Sequence, residues 1–191
     1  KLDRSHMSSQ QSEERQQSFE EPKNFWNWVE QHKQQLQPPV NNALMFGKNG
    51  EFKVQVIGGP NQRKDFHIED HEEYFHQVKG DMVLRIVDPL ITDRVEFRDI
   101  PIREGEVFVL PAHIPHSPQR KADTLGIVLE VERQPHEKDG LRWYCDNCRA
   151  IVYEQWFHCT DLGTQLKPVI EDYFADEGKR TCKNCNHVNQ V

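Results

Sequence analysis

From about residue 40 to residue 133, apolar side chains cluster in short runs separated by turn residues. The runs at residues 52–57, 73–78, 82–87, 94–97, 107–110 and 125–131 are rich in β-branched and aromatic residues, the composition that suits a half-buried pleated surface. Breaks fall at Gly58-Gly59-Pro60, Lys79-Gly80-Asp81, Asp88-Pro89 and Glu104-Gly105-Glu106, where the chain favours a turn over a continued strand. No long helical pattern intervenes, so the region predicts a mainly β fold, an antiparallel β-barrel or jelly roll. Helical spacing occurs on both flanks. Phe25, Trp26, Val29 and Leu36 recur at near-helical intervals behind Asn24, a residue suited to an N-cap, and Pro38-Pro39 ends the pattern. Leu162, Leu166, Val169, Ile170, Tyr173 and Phe174 follow an i, i+4, i+7, i+8 pattern, with Pro168 leaving the start of that helix open.

The 191 residues suffice for one compact domain with a small appendage, with a core that needs no disulfide. Residues 1–6, followed by Met7, read as an expression-vector remnant, and the Ser/Gln/Glu-rich stretch to about residue 19 has too few apolar groups to fold alone. Residues 1–23 are therefore expected to be a tag remnant and a disordered N-terminus. The net charge of −7, with acidic and basic residues interleaved, argues against a nucleic-acid partner. An anionic substrate would need specific arginines in its pocket. No apolar run approaches the ~18–20 residues of a membrane span, and no secretory h-region is present, so a soluble cytoplasmic protein is expected. Four of the five cysteines form two CxxC pairs, which suit metal ligation in a reducing compartment better than a disulfide framework.

The candidate chemistry lies in two segments. The first carries His67 and Glu73 six residues apart, with Gly80 after them; the second runs from Gly105 through Pro111 to His116. Together they resemble the paired motifs of the cupins, in which Glu, six residues and Gly close the first motif, and Gly, five residues, Pro and then His form the second. The departure is position 69, a Glu where that family usually has a second histidine. Two imidazoles and one carboxylate remain, the facial set typical of non-haem Fe(II) oxygenases with open coordination positions. His71, His76 and His113 compete for the same role. His113 stands where the pattern prefers Gly, and His76 is an odd number of steps from Glu73, which turns it to the opposite strand face; all three are read as bystanders.

A narrower resemblance covers most of residues 24–187. Gly58-Gly59-Pro60-Asn61-Gln62-Arg63-Lys64-Asp65-Phe66-His67, Gly80-Asp81-Met82-Val83-Leu84, residues 110–120, Gly126-Ile127-Val128-Leu129-Glu130 and residues 156–165 are similar to the 3-hydroxyanthranilate dioxygenases. The resemblance implies a cupin barrel with its N-terminal helix over residues 24–140, and a C-terminal helix with a four-cysteine metal segment packed on it over residues 141–191. It implies ring opening of 3-hydroxyanthranilate by O2 to 2-amino-3-carboxymuconate semialdehyde, which closes to quinolinate on the route from tryptophan to NAD. It also implies catalytic Fe(II) on His67, Glu73 and His116, catalytic roles for Arg63, Glu73, Arg120 and Glu130, and a homodimer. Of these, Glu73, Arg120 and Glu130 would meet the substrate and Arg63 would meet dioxygen. Arg63 lies four residues before His67 and Arg120 four after His116, and a guanidinium suits a planar carboxylate. Glu130 sits in an apolar strand, where an unpaired charge is costly, and Glu132 on the same strand face is the alternative.

Cys145, Cys148, Cys182 and Cys185 can present four thiolates to one Fe or Zn ion, read as a structural clip for the C-terminal helix, with Cys159 left as a packed thiol. Two other readings compete: a non-catalytic ligand-binding cupin, and a zinc-ribbon nucleic-acid adaptor. The adaptor needs a basic face around the cysteines, whereas that region carries Asp146, Glu154, Asp161, Glu171, Asp172, Asp176 and Glu177 beside its few cations, so it is set aside.

Overall fold

A computed structural model describes residues 20–38, 41–48 and 50–191. The expected vector remnant, and the expected disordered stretch as far as residue 19, lie outside the described residues. In chain order the elements are α1 (Phe25–His32), β1 (Asn42–Phe46), β2 (Phe52–Gly58), β3 (Asn61–Gln62), β4 (Phe66–Ile68), β5 (Glu73–Lys79), β6 (Met82–Val87), β7 (Phe97–Ile102), β8 (Val107–Leu110), β9 (His116–Arg120), β10 (Leu125–Val131), β11 (Asp139–Tyr144), β12 (Ile151–Phe157), α2 (Leu162–Ala175) and α3 (Glu177–Arg180).

The strands form two antiparallel sheets. One has the order β1-β2-β10-β5-β8; the other runs β12-β11-β4-β9-β6-β7, with β3 paired to β9. Phe75, Leu110 and Val128 from the first sheet share one core with Met82, Leu84, Ile86 and Ile102 from the second, so the sheets pack face to face. No strand pairing joins one sheet to the other among the described residues, so the expected closed barrel is not seen; the fold is a mainly antiparallel β structure with flanking helices.

Period-2 alternation decides what points between the sheets. Along β10, Gly126, Val128 and Glu130 are buried; along β5, Glu73, Phe75 and Gln77 are. Gly80, at φ +64, makes the tight turn from β5 to β6, a backbone state that favours glycine. α1 starts where Asn24 Oδ1 accepts from the Asn27 amide at 3.0 Å, and Trp28 packs with Leu36, Ala43, Met45 and Val56 against the first sheet. Helical geometry stops at His32 and turns carry the chain on to Leu36. α2 begins at Leu162, capped by Asp161 accepting from the Gly163 amide at 2.9 Å, and contains Pro168. Its Leu166, Val169 and Tyr173 pack on Leu141 and Trp143 of β11.

Two differences from the sequence patterns have simple causes. The strand expected at residues 94–97 runs instead over Phe97–Ile102, because Arg94 and Glu96 pair with each other at the surface while Ile102 turns into the core opposite Met82. β1, β4, β9, β11 and β12 lacked a legible pattern. β4 is three residues long, and β9 is polar and contains Pro118.

Candidate metal and substrate site

Pairing places the two histidines. His67, the middle residue of β4, lies directly across the ladder from His116, the first residue of β9. Glu73 enters from the other sheet as the first residue of β5, and the ligand atoms of the three residues lie within 4.8 Å of one another. All three are buried. His71, His76 and His113 lie outside this cluster: His71 pairs with Glu137 at 2.9 Å and His113 is exposed beside Asp70.

Each ring has a defined tautomer. His116 Nδ1 donates to the Ile114 carbonyl at 3.0 Å, which leaves the Nε2 lone pair 2.7 Å from Glu73 Oε2. His67 Nε2 donates to Asp139 Oδ2 at 2.7 Å, which leaves Nδ1 as its unprotonated nitrogen. Burial lowers the pKa of His67 despite Asp139, which keeps the ring neutral, as a metal ligand must be. Burial opposes ionisation of Glu73, but His116 and His67 outweigh it and hold the carboxyl down to about 2. Glu73 Oε2 is buried without a well-aligned hydrogen bond. A carboxylate oxygen and two imidazole nitrogens converging in this way fit a divalent cation.

The same pocket, of about 340 Å³, is lined by Arg63, His67, Glu73, His116, Arg120 and Glu130. Arg120 is buried, which lowers its pKa to about 10 and still leaves it charged at neutral pH. Its Nη1 donates to Gln77 Oε1 at 2.8 Å, and its Nε has no hydrogen-bond partner among the described residues. Arg63 is held by buried Asp65, its Nε lying 3.1 and 3.2 Å from the two carboxylate oxygens. Glu130 is pushed up to about 8 by burial and by the neighbouring Glu73. Glu132 does not line this pocket; it lies 3.6 Å from Lys53, in a neighbouring hollow.

Several residues here escaped the sequence reading. Asp65 and Gln77 fix the two arginines, Arg133 and Asp139 stand behind Glu130 and His67, and Leu166, Ile170 and Phe174 of α2 close one apolar wall. Gln77 had a signal, since it shares a strand face with Glu73 two periods away. Asp139 had none, being 72 residues from its histidine.

The four cysteines form a second cluster. Their sulfurs lie within 4.8 Å of one another, with Cys145–Cys185 and Cys148–Cys182 each at 3.6 Å. A disulfide needs about 2.05 Å, whereas four thiolates around Zn at about 2.3 Å stand roughly 3.8 Å apart. The two turns match: Arg149 and Asn186 have φ of 61 and 60, and their amides donate to the carbonyls of Cys145 and Cys182. The Asn184 amide lowers the Cys148 thiol to about 6, which favours a thiolate there. The spacing of the four sulfurs fits a tetrahedral metal ion.

A sequence model of the family described as 3-hydroxyanthranilic acid dioxygenase matches residues 18–174 of this chain. Proteins named 3-hydroxyanthranilate 3,4-dioxygenase are similar to it. The one from Podospora anserina is 50% identical over 168 residues, 88% of this chain and 89% of its own length. The one from Coccidioides immitis is 48% identical over 172 residues, again 88% and 89%. The one from Mus musculus is 49% identical over 157 residues, 82% of this chain and 52% of its own length.

Proposed function

Since the chain belongs to the 3-hydroxyanthranilic acid dioxygenase family, we propose that the pocket around His67, Glu73 and His116 is the site of its reaction. The protein is an oxidoreductase that opens the ring of 3-hydroxyanthranilate with O2, giving the precursor of quinolinate. The observation that carries the site assignment is convergence. Two imidazoles, a carboxylate and a buried arginine with an unused donor face one cavity.

His67, Glu73 and His116 would hold Fe(II). Bound Fe(II) supplies oxygen activation and the acidity that lets a ring hydroxyl ionise. The other residues bind and orient. Arg120 takes the substrate carboxylate, with Nε and Nη2 as the fork and Gln77 fixing Nη1. Arg63, fixed by Asp65, stands where it can meet both that carboxylate and dioxygen. Glu130 faces the amino and hydroxyl edge, where its buried carboxyl, raised to about 8 and so largely protonated at neutral pH in the metal-free protein, offers both a hydrogen-bond donor and an acceptor. Ile57, Phe75, Val128 and the α2 side chains enclose the aromatic ring and exclude water.

The two facing sheets are read as a cupin-type jelly roll, and the four-cysteine cluster as a structural Zn or Fe clip that ties the chain after α2 to β11. Its free thiols fit a reducing compartment, the cytosol. A homodimer is expected, and light scattering at micromolar concentration checks it. The decisive experiment is oxygen uptake by protein reconstituted anaerobically with Fe(II), on addition of 3-hydroxyanthranilate. Uptake lost in His116→Ala and kept in Cys182→Ser supports the assignment of both sites. No uptake by the parent protein at full iron occupancy would overturn it.

A further inference from the structure

Arg133 takes no part in the reading above, yet it makes more polar contacts than any pocket arginine. Its side chain is 5% exposed and reaches three carboxylates. Nε and Nη2 form a fork on Asp139, at 2.9 Å to Oδ1 and 2.8 Å to Oδ2. Nη1 donates to Glu130 Oε2 at 3.0 Å and to the Val131 carbonyl at 2.8 Å, and Nη2 lies 2.7 Å from Glu69 Oε2. Four of the five N–H donors make these hydrogen bonds, while the contact to Glu69 is an ion pair without hydrogen-bond alignment. Asp139 passes the constraint to His67 through the 2.7 Å bond to Nε2, while Glu130 reaches the pocket itself.

Resting on that reading of the site, we infer that Arg133 is a positioning residue that couples the metal site to the substrate site. One planar group sets the orientation of the His67 ring through Asp139 and the place of the Glu130 carboxylate. Neither Arg133 nor Asp139 lines the catalytic pocket, so both act through residues that do. Geometry and charge are separable here. Asp139, buried and held ionised, needs a cation nearby, and a lysine would supply one. A lysine has three donors on a single nitrogen and cannot hold a fork on Asp139 while reaching Glu130.

The test is Arg133→Lys, measured in three ways: Fe(II) affinity by competition with a chelator in the absence of substrate, KM and kcat per bound iron, and melting temperature of the metal-free protein. Loss of an outer partner of a metal-bound histidine typically weakens metal binding 10- to 100-fold. We expect iron affinity to fall by roughly 10-fold and KM to rise together with it. A purely structural role predicts a lower melting temperature with iron affinity and KM within about twofold of the parent, and that result would overturn the inference.

If Arg133→Lys does not fold, Asp139→Asn serves, because it leaves the guanidinium in place and touches no lining position. Coupling through Arg133 requires Asp139→Asn to raise KM as well as weaken iron; an effect on iron alone refutes it. A parent protein that binds iron but consumes no oxygen would instead count against the site assignment. In that case calorimetric binding of 3-hydroxyanthranilate to parent and variant still reads the coupling.

Discussion

Arg120 and Glu130 show what burial does to single residues in this pocket. Arg120 keeps its charge and one donor without a partner, so replacing it should cost substrate binding more than folding. Arg120→Lys retains the charge and loses the planar fork; KM should rise roughly 10- to 100-fold, the worth of a charge-assisted bidentate pair, with a smaller change in kcat, as steady-state kinetics will show. For Glu130 the effect is on stability. Its folded pKa of about 8 lies above its ordinary 4.5, through burial first and Glu73 second. Between those values the folded, metal-free protein binds a proton that the unfolded chain has released. This contribution is therefore complete below about pH 4.5 and lost as pH rises through 8. Urea midpoints of the metal-free protein across pH 5–8 should decline less steeply in Glu130→Gln, and an unchanged slope would show that Glu130 is already ionised.

At the level of elements, the site depends on strand faces and on how closely strands approach. Gly126 on β10 is the clearest case: a Cβ there would lie 2.6 Å from Arg120 Nη1 and 2.9 Å from Gln77 Oε1. Those atoms are the ends of flexible side chains, so Gly126→Ala should fold but push the guanidinium from its seat. A KM increase of about 10-fold, with near-parental circular dichroism, is the expected result. β10 and β9 had different legibility in the sequence. The alternation of β10 marked the strand and turned Glu130 inward, whereas β9, with Ser117, Pro118 and Gln119 at its centre, carried no apolar rhythm and was found only through its partners β4 and β6. α2 was legible as an amphipathic helix, but the pattern did not say that Leu166, Ile170 and Phe174 would close a pocket.

For the whole molecule, the question is how the four-cysteine segment bears on the pocket. Asn189, near the chain's end, donates to the Tyr144 carbonyl at 2.8 Å and to Tyr173 Oη at 3.0 Å, and its Oδ1 accepts from the Asp146 amide. It thus joins the segment to β11 and to α2, the helix that walls the pocket. Cys182→Ser should lower the melting temperature by roughly 5–10 °C, on the order of 2–3 kcal/mol for a chain of this size, while oxygen uptake at 25 °C survives. Loss of uptake in a folded, iron-loaded Cys182→Ser protein would show that the clip is needed for the pocket. No described helix is long and apolar enough to cross a membrane.

Local rules in the sequence were enough to determine the two CxxC pairs, the His/Glu/His set with its glycine and proline punctuation, the two arginines flanking it, and three strands with their bounds, at residues 82–87, 107–110 and 125–131. Each depends on spacing along one stretch of chain, which a strand period or a turn converts directly into geometry. Tertiary structure decided what lies across from each stretch. Glu130 and Glu132 share a strand face, and only the facing sheet and Lys53 distinguish pocket from hollow. Arg133 and Asp139 read as ordinary charged residues between strands until β11 pairs with β4 and brings Asp139 to His67. Period fixes the direction of a side chain, whereas its partner is fixed by the order in which distant strands join a sheet.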